Sequence, residues 1–585
     1  MGIITMLPDH VVNKISAGEV IERPASVVKE LVENALDAHT KHIVVEIKRS
    51  GKRLIRVVDT GIGMENVDAI KSIERHATSK IDSIDDLNDT VSFGFRGEAL
   101  SSIAAVSELE IVTKRKEDQF ATQVMAKGGT LIETHEIGAS DGTAISVKDL
   151  FFNTPVRMKF LKSDRTEMVK ILDIIQTISL AHQSVSFTLM ADGKELLTLP
   201  AIASLKQRIR ALFGASFINS LVPFEIERSH INIEGFLGEP NSALSTRSKQ
   251  YFFVNNRPIK DSLLGYALLE GYREVISSKR YPIAFVFISI NPTEVDVNIH
   301  PTKREVRFLN IRFIQSILTS IVRDTVGKGS IFKTNEPIKE GTTSLDNSRI
   351  KDAISSFIAK PQRANDFSFI TQKTVPKPLY ERGNDNENNG CSNENITVLG
   401  SIHNLYIIAE DQSGLIILDQ HAAHERVLYD KLMKEVRIGK VVQQTLLFPV
   451  MIEINKQEKL LLQDFMPSLE ELGFGIEEFD PQTLAIIAVP SLLEQVEIER
   501  LLRDLLGEIK DWDRIEAPRG KIEERIARIA CRQAVMARDN LSLQEMKDLF
   551  HQLYSSENPL ACPHGRPTTI RMNMNKLSQL FGRSG

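Results

Sequence analysis

Apolar and polar positions follow helical and strand periods through the first half of the chain. In Ser26–Ala38, apolar residues recur at i, i+3, i+4 and i+7, the spacing of a helix with one buried face. These residues are Val28, Leu31, Val32 and Ala35. Two apolar runs, Ile43–Arg49 and Leu54–Asp59, flank a Ser-Gly turn. The pattern therefore predicts a helix followed by a β-hairpin.

The same patterns, together with local composition, divide the chain into four segments. Residues 1–205 end with an apolar strand, and residues 206–332 again alternate strands with helices. Residues 333–392 have scattered Pro and Gly, mixed charge and no sustained period, which is the composition of a flexible linker. In residues 393–585, two apolar runs flank Asp411–Gly414 as in a hairpin. We therefore predict an α+β multidomain protein.

Bulk composition excludes several classes of protein. The 585 residues, 42% of them hydrophobic, can form several ordinary folded cores. Because the net charge is −5, the chain as a whole is not a basic nucleic-acid binder, and any DNA contact must come from local patches. Three cysteines do not make a disulfide framework, and no apolar run reaches the ~18 residues of a membrane span. Residues 1–10 lack the features of a secretory signal, so we expect a cytoplasmic protein without membrane contact.

Glu30 and Asn34 are the first candidates for chemistry. They lie one turn apart on the face opposite the apolar stripe, so their side chains point the same way. A carboxylate beside a neutral oxygen donor can orient a water molecule and hold Mg²⁺. The alternative is a solvated acidic face, but an asparagine contributes little to such a face because it is a middling helix former.

Three glycine-containing motifs follow in the same segment. The sequence Asp59-Thr-Gly61-Ile-Gly63 places a carboxylate at a strand end, where it can accept a hydrogen bond from an exocyclic amine. Alone, this motif is usually only a turn. The sequence Gly94-Phe-Arg96-Gly97 precedes a predicted helix, Ala99–Val106, whose N-terminal N–H groups suit a phosphate. The sequence Asp141-Gly142-Thr143 leads a further strand, and no Walker-type Gly-x4-Gly-Lys-Ser/Thr sequence is present.

The C-terminal segment carries a second set of candidate ligands. Asp419 ends an apolar strand, and His421 and Glu425 are four residues apart, so they share one helix face. Farther along the chain lie Cys531 and the pair Cys562-Pro-His564. Carboxylate, imidazole and thiolate together are the ligands of a transition-metal site. The alternative is a polar helix start and two buried thiols, but two chelating spacings in one segment favour a metal.

Taken in order, the N-terminal motifs resemble those of the Bergerat (GHKL) ATPase family, which includes gyrase, chaperone, histidine-kinase and mismatch-repair ATPases. The local match is closer still to the MutL family of DNA mismatch-repair proteins. Three stretches carry it, namely Ile15–Asn34, Gly94–Leu100 and Phe152–Arg157. The resemblance is dense over residues 1–330 and looser over residues 395–585.

The resemblance implies a fold and a set of roles. It implies a Bergerat-fold ATPase domain in 1–205, a smaller β-α-β transducer domain in 206–332 that completes the ATP site, a flexible linker, and an α/β C-terminal dimerisation domain in 393–585. Glu30 is implied as the general base, Asn34 as the Mg²⁺ ligand and Asp59 as the acceptor for the adenine amine. The residues implied to bind ATP and its Mg²⁺ are Asn34, Asp59, Gly61, Gly63, Thr78, Arg96, Gly97, Thr143 and Lys303.

The C-terminal motifs resemble those of the nicking subfamily of MutL, whose first pattern is Asp-Gln-His-Ala-x2-Glu-x4-Glu. Asp419–Glu425 matches its first part, but the last position is Asp430, one methylene shorter than Glu. The implied metal ligands are His421, Glu425, Cys531, Cys562 and His564, with Asp419 catalytic at a second metal. Thiolate and imidazole ligands favour Zn²⁺, and carboxylate-rich surroundings admit Mn²⁺.

The implied function is an ATP-switched homodimer that couples mismatch recognition to strand incision. Its implied partners are a MutS-type mismatch-recognition protein, DNA and a sliding clamp, which Gln444–Pro449 would bind unless it is simply a strand. A second reading is a non-nicking MutL matchmaker that recruits a separate nuclease, which Asp430 favours. A third is another ATPase of the GHKL family, such as a topoisomerase subunit or a chaperone.

Overall fold

The computed structural model describes residues 21–80, 97–228, 230–277, 280–296, 306–331, 396–480, 482–493, 497–509, 519–534 and 540–580. The chain forms two compact units. The first consists of Met1–Gly329 and Leu428–Ala534, and the second of Ser330–Val427 and Val535–Gly585. The predicted linker lies outside the described residues, and the three boundaries between the four predicted segments remain predictions.

An eight-stranded sheet forms the first layer of the first unit. Its strands are β1 (His42–Lys48), β2 (Leu54–Asp59), β3 (Glu108–Lys114), β4 (Ala121–Lys127), β5 (Thr130–Ile137), β6 (Gly142–Lys148), β7 (Ser186–Ala191) and β8 (Lys194–Leu199). They lie in the order β5-β4-β3-β6-β2-β1-β7-β8, and only β1 and β7 pair in parallel. The accompanying helices are α1 (Pro24–Asp37), α2 (Asn66–Lys71), α3 (Ala99–Ala105), α4 (Pro155–Phe160) and α5 (Asp164–Ala181).

The predicted apolar stripe of α1 packs into this core. Proline is favoured in the first turn of a helix because its fixed φ suits that turn and its missing N–H has no partner to lose there, and Pro24 occupies this position. The four stripe residues are all buried, with at most 3% of each exposed. The opposite face of α1, with Glu30 and Asn34, is therefore directed away from the apolar core.

A second, five-stranded sheet follows in the same unit. Its strands are β9 (Leu221–Arg228), β10 (Ile231–Gly238), β11 (Gln250–Val254), β12 (Arg257–Ile259) and β13 (Ala284–Ser289), in the order β12-β11-β13-β10-β9. A two-stranded ribbon, β14 (Val295–Asp296) and β15 (Arg307–Phe308), comes next. The helices are α6 (Leu205–Phe213), α7 (Ala215–Asn219), α8 (Ser262–Tyr272) and α9 (Ile311–Ile331). Asp261 caps α8 by accepting from the N–H groups of Leu263 and Leu264.

The C-terminal part of the chain supplies two small sheets. Its strands are β16 (Thr397–Ile402), β17 (Tyr406–Asp411), β18 (Gly414–Asp419), β19 (Gln443–Glu453), β20 (Gly475–Asp480), β21 (Thr483–Pro490) and β22 (Thr569–Asn573). Its helices are α10 (Gln420–Ile438), α11 (Lys456–Glu471), α12 (Ile498–Ile509), α13 (Arg519–Ala534), α14 (Leu543–Tyr554) and α15 (Met574–Leu580). The sheet β19-β21-β20 belongs to the first unit, and β16-β17-β18-β22 belongs to the second.

Within the first unit, acidic residues of the 428–534 segment meet basic residues of the N-terminal part. Arg280 Nη1 lies 2.8 Å from Asp504 Oδ1, and Lys249 Nζ lies 3.0 Å from Glu458 Oε1. Arg165 also pairs with Asp464. These contacts join α11 and α12 to α5 and to the chain segments that precede β11 and β13. Among the helices that the structure describes, none has the length and apolarity needed to cross a membrane.

Candidate functional sites

The polar face of α1 forms the centre of the candidate nucleotide site. Lys29 Nζ lies 3.4 Å from Glu30 Oε1 and 3.4 Å from Glu33 Oε1. Asn34 Oδ1 accepts a hydrogen bond of 3.1 Å from Lys80 Nζ, and Asp37 Oδ2 lies 2.5 Å from the same nitrogen. An amide oxygen can coordinate Mg²⁺, and a carboxylate one turn away can accept a proton from a water molecule. This face of α1 is therefore suited to a Mg²⁺-bound phosphate.

Asp59 lies at the end of β2, opposite Thr143 of β6 in the strand register. Its Oδ1 accepts a 2.7 Å hydrogen bond from the Gly61 N–H. Burial raises the pKa of the Asp59 carboxyl to about 6, although backbone N–H groups of Gly61 and Thr143 lower it. Thr143 Oγ1 in turn lies 2.9 Å from Thr113 Oγ1 of β3. Asp59 and Thr143 therefore place a buried carboxylate beside a buried hydroxyl, and such a pair of acceptors is suited to an adenine amine.

Two glycines beside Asp59 are required by close packing. A Cβ at Gly61 would lie 2.7 Å from the Ala38 carbonyl oxygen, at the end of α1. Gly63 has φ +71°, and a Cβ there would lie 2.2 Å from the Lys114 carbonyl oxygen. The glycines thus bring the loop after β2 against the ends of α1 and β3, which places Asp59 near the C-terminal end of α1.

The segment expected to contact phosphate is only partly described. Gly97 has φ +62°, and its carbonyl accepts from the His76 N–H at 3.1 Å, so it lies against the loop that contains Thr78. Thr78 Oγ1 accepts from the Lys80 N–H at 3.2 Å. Arg96 and Lys303 lie outside the described residues, and their roles remain predictions.

The second sheet contributes a cation that the sequence had not indicated. Arg257, on the edge strand β12, is buried. Burial lowers the pKa of its guanidinium, while the negative charges of Glu33, Asp37 and Glu30 raise it. The acidic face of α1 is therefore balanced by a charge from the following sheet. The sequence contains no local signal for this contact, because Arg257 lies more than 200 residues from α1.

The second unit contains a candidate metal centre. Glu425, Cys562 and His564 each offer a ligand atom, and the three atoms lie within 4.8 Å of one another. Glu425 Oε2 is 3.3 Å from His564 Nδ1, and Glu425 Oε1 is 3.2 Å from His421 Nε2. The buried Nδ1 of His421 has no hydrogen-bond partner among the described residues. A thiol, two imidazoles and a carboxylate fit the donor set of Zn²⁺.

Strand pairing brings these residues together. β18 pairs with β22, and Leu418 lies opposite Thr569, so the chain preceding β22 lies beside the start of α10. Arg426 Nε donates a 2.8 Å hydrogen bond to the Ala561 carbonyl and fixes the loop to α10. The loop closes in a turn at Gly565, whose N–H donates to the Cys562 carbonyl at 2.9 Å.

Opposing effects act on the central carboxylate. Burial raises the pKa of Glu425, but its hydrogen bonds to His421 and His564 lower it by more. The net shift is downward, so Glu425 is held as a carboxylate. An ionised carboxylate is the form that binds a metal.

The three-residue cluster does not include the other predicted C-terminal residues. Asp419 Oδ1 accepts from the Ala422 N–H at 3.0 Å and so caps α10. Cys531 is buried in α13 of the first unit, so its place among the ligands remains a prediction, as does the role of Asp430. Gln444–Pro449 lies within β19, where register is interrupted between Thr445 and Val450. Leu447 and Phe448 within that interruption are 88% and 77% exposed.

Three segments of the chain match family models. Residues 21–139 match "Histidine kinase-, DNA gyrase B-, and HSP90-like ATPase". Residues 209–327 match "DNA mismatch repair protein, C-terminal domain", and residues 399–541 match "MutL C terminal dimerisation domain".

Solved and curated proteins also resemble the chain. A solved structure, the Aquifex aeolicus MutL ATPase domain complexed with ADP, covers 55% of this chain and 100% of that chain at 29% identity, although the TM-score is only 0.37. The DNA mismatch repair protein MutL of Geotalea daltonii is 37% identical over 99% of both chains. That of Caldanaerobacter subterraneus subsp. tengcongensis is 36% identical over 100% of both. Similarity of this extent to curated relatives shows that the chain belongs to the MutL family of DNA mismatch-repair proteins.

Proposed function

We propose that this member of the family is a nicking endonuclease as well as an ATPase. The observation that carries the proposal is the cluster of Glu425, Cys562 and His564, with His421 against the same carboxylate. Asp419 lies two residues before His421, at the start of the same helix. When bound, metal ions would activate a water molecule and stabilise the leaving oxygen of a phosphodiester. The chain's own part is to hold the ligands deprotonated and oriented.

Supercoiled-plasmid nicking in Mn²⁺ tests the proposal. We expect wild type to form nicked circles and Asp419→Asn to lose the activity. His564→Ala should bind less zinc by elemental analysis and nick at least about 100-fold more slowly. His551→Ala, an exposed histidine on α14, is the matched control and should retain both properties. If purified wild type contains no divalent metal and does not nick the plasmid in Mn²⁺, the nuclease proposal is contradicted.

The alternative is a matchmaker that recruits a separate nuclease. Asp430 favours it, since the subfamily pattern has Glu at this position. If wild type does not nick, Asp430→Glu is the first variant to make. Gain of Mn²⁺-dependent nicking by this variant would locate the defect at that one carboxylate.

In the N-terminal part, we propose slow Mg²⁺-dependent ATP hydrolysis. The support is Glu30 and Asn34, one turn apart on α1, and the buried Asp59, whose following loop packs against the C-terminal end of α1. Glu30→Ala should still bind ATP, but its rate of ATP hydrolysis should fall by about 100-fold or more. Asn34→Ala should lose Mg²⁺-dependent binding as well. Turnover at the wild-type rate in Glu30→Ala would remove Glu30 from the general-base role.

We further propose a homodimer that acts with a MutS-type protein, DNA and a sliding clamp. The dimer is supported by the match of residues 399–541 to a dimerisation domain. Light scattering should therefore give twice the 65.6 kDa chain mass, and a monomer at micromolar concentration would contradict it.

Clamp binding is supported by the exposed Leu447 and Phe448. Replacing both with Ala should abolish pull-down by the clamp but leave the dimer intact.

A further inference from the structure

Lys80 is bound to the polar face of α1 by two acceptors. Its ammonium donates to Asn34 Oδ1 at 3.1 Å and lies 2.5 Å from Asp37 Oδ2. Only 21% of its side chain and 11% of that of Asp37 are exposed, so both groups are largely withdrawn from water. A hydrogen bond between an ammonium and a partly buried carboxylate is among the stronger polar contacts in proteins.

The Lys80 ammonium and a Mg²⁺ ion would compete for the same amide oxygen. Asn34 Oδ1 is the oxygen through which Asn34 would coordinate Mg²⁺, and Mg²⁺ demands near-ideal geometry at short distance. A Mg²⁺ ion on that oxygen would need room for its other ligands, and the structure places the Lys80 ammonium at 3.1 Å from the same atom. The Lys80 ammonium and a Mg²⁺ ion on the same oxygen would also repel each other.

We propose that Lys80 competes with Mg²⁺ for Asn34, so that the metal binds only when the Lys80 ammonium leaves this oxygen. The inference rests on the proposed ATPase function and adds to it a residue that sets the metal requirement. Asp37, three residues beyond Asn34, holds Lys80 at the site and thereby strengthens the competition. Lys80 is a positioning residue in this scheme.

Nucleotide-dependent Mn²⁺ binding provides the test. Free Mn²⁺ is measured by electron paramagnetic resonance in full-length protein with and without ADP, so that metal held at the C-terminal cluster is subtracted. Lys80→Met keeps the length of the side chain and removes the ammonium. We expect it to tighten ADP-dependent Mn²⁺ binding by about tenfold, the effect of one charge-assisted hydrogen bond. Affinity for ADP without metal, measured by calorimetry, should not change.

Lys29→Met is the matched control. It removes an ammonium from the same helix face, next to Glu30 and Glu33 rather than Asn34. If both variants tighten Mn²⁺ binding equally, the effect is general electrostatics and the competition is refuted. Unchanged or weaker Mn²⁺ binding in Lys80→Met also refutes it, and so does a loss of metal-free ADP affinity, which would make Lys80 a phosphate ligand.

Asn34→Ala separates failure of this inference from failure of the proposed function. If Asn34→Ala loses ADP-dependent Mn²⁺ binding while Lys80→Met is unchanged, only the competition fails. If Asn34→Ala binds Mn²⁺ as wild type does, the assignment of Asn34 as metal ligand fails and the competition falls with it. If wild type shows no ADP-dependent Mn²⁺ binding, the proposed ATPase site itself is wrong.

Discussion

At the residue scale, Asp59 is predicted to bind the adenine amine, and its ionisation lowers the stability of the folded state. Its pKa of about 6 lies above the ordinary 3.8, so the folded state binds its proton more tightly than the unfolded state does. This cost to stability is nearly absent below pH 3.8, grows as pH rises and is complete above about pH 6. Asp59→Asn carries no such charge.

We therefore expect the stability difference between Asp59→Asn and wild type to move in the variant's favour by roughly 1.5 kcal/mol from pH 5 to pH 8. Thermal melting at several pH values measures it. ATP affinity of the variant should fall at both pH values. A pH-independent difference in melting temperature would show that Asp59 does not titrate in this range.

Gly63 provides a residue-scale test of close packing. Gly63→Ala forces a Cβ to 2.2 Å from the Lys114 carbonyl oxygen, so the backbone must move, and we expect a loss of about 3 kcal/mol or more. Gly193 is the matched control, since it has φ +81° but nothing within 4 Å of an added Cβ. Gly193→Ala should cost only the ~1 kcal/mol of left-handed strain. Equal melting temperatures for the two variants would contradict the packing argument.

At the scale of elements, Asp419 serves α10 in a way that is independent of metal chemistry. Its Oδ1 caps the helix through the Ala422 N–H. Asp419→Asn keeps an acceptor at the N-cap and should melt like wild type, whereas Asp419→Ala should lose about 1 kcal/mol. Thermal melting of both variants beside the nicking assay separates the two roles. If Asp419→Asn is as destabilised as Asp419→Ala, its loss of nicking would not indicate a catalytic role.

Elements with strong local signals were predicted well. The stripe of α1 is buried as its spacing predicts, and the predicted hairpin forms as the antiparallel pair β1 and β2. The Gln444–Pro449 segment was ambiguous because a β-strand and a short peptide motif can share one sequence. In the structure it lies in β19 and still exposes Leu447 and Phe448, so the two interpretations are compatible.

At the scale of the whole molecule, ion pairs join α11 and α12 to the N-terminal part of the first unit. Asp504 is 1% exposed, and Arg280 is its charged partner at 2.8 Å. Arg280→Met would leave a buried carboxylate without that cation and should cost about 3–5 kcal/mol of local stability. Hydrogen exchange across α12 should accelerate accordingly.

Arg503→Met is the matched control for this prediction. Arg503 pairs with Glu499 at 2.7 Å along the same helix, with 29% and 52% of their side chains exposed. Its loss should cost less than about 1 kcal/mol. Equal acceleration of exchange in both variants would contradict a specific role for the Arg280–Asp504 pair.

Motif order and helical periodicity in the sequence determined family membership, the candidate ATP-site residues and the helix that carries Glu30 and Asn34. The motifs and this helix depend on spacing within a few residues, and such spacing can be taken directly from the sequence. The tertiary structure alone decided that Lys80 contacts Asn34 and that Arg257 balances the acidic face of α1. The contact of Glu425 with the Cys562–His564 loop had been implied by the family resemblance, and the structure supplies its geometry. Such contacts depend on strand register and domain packing over long separations, which local patterns do not encode.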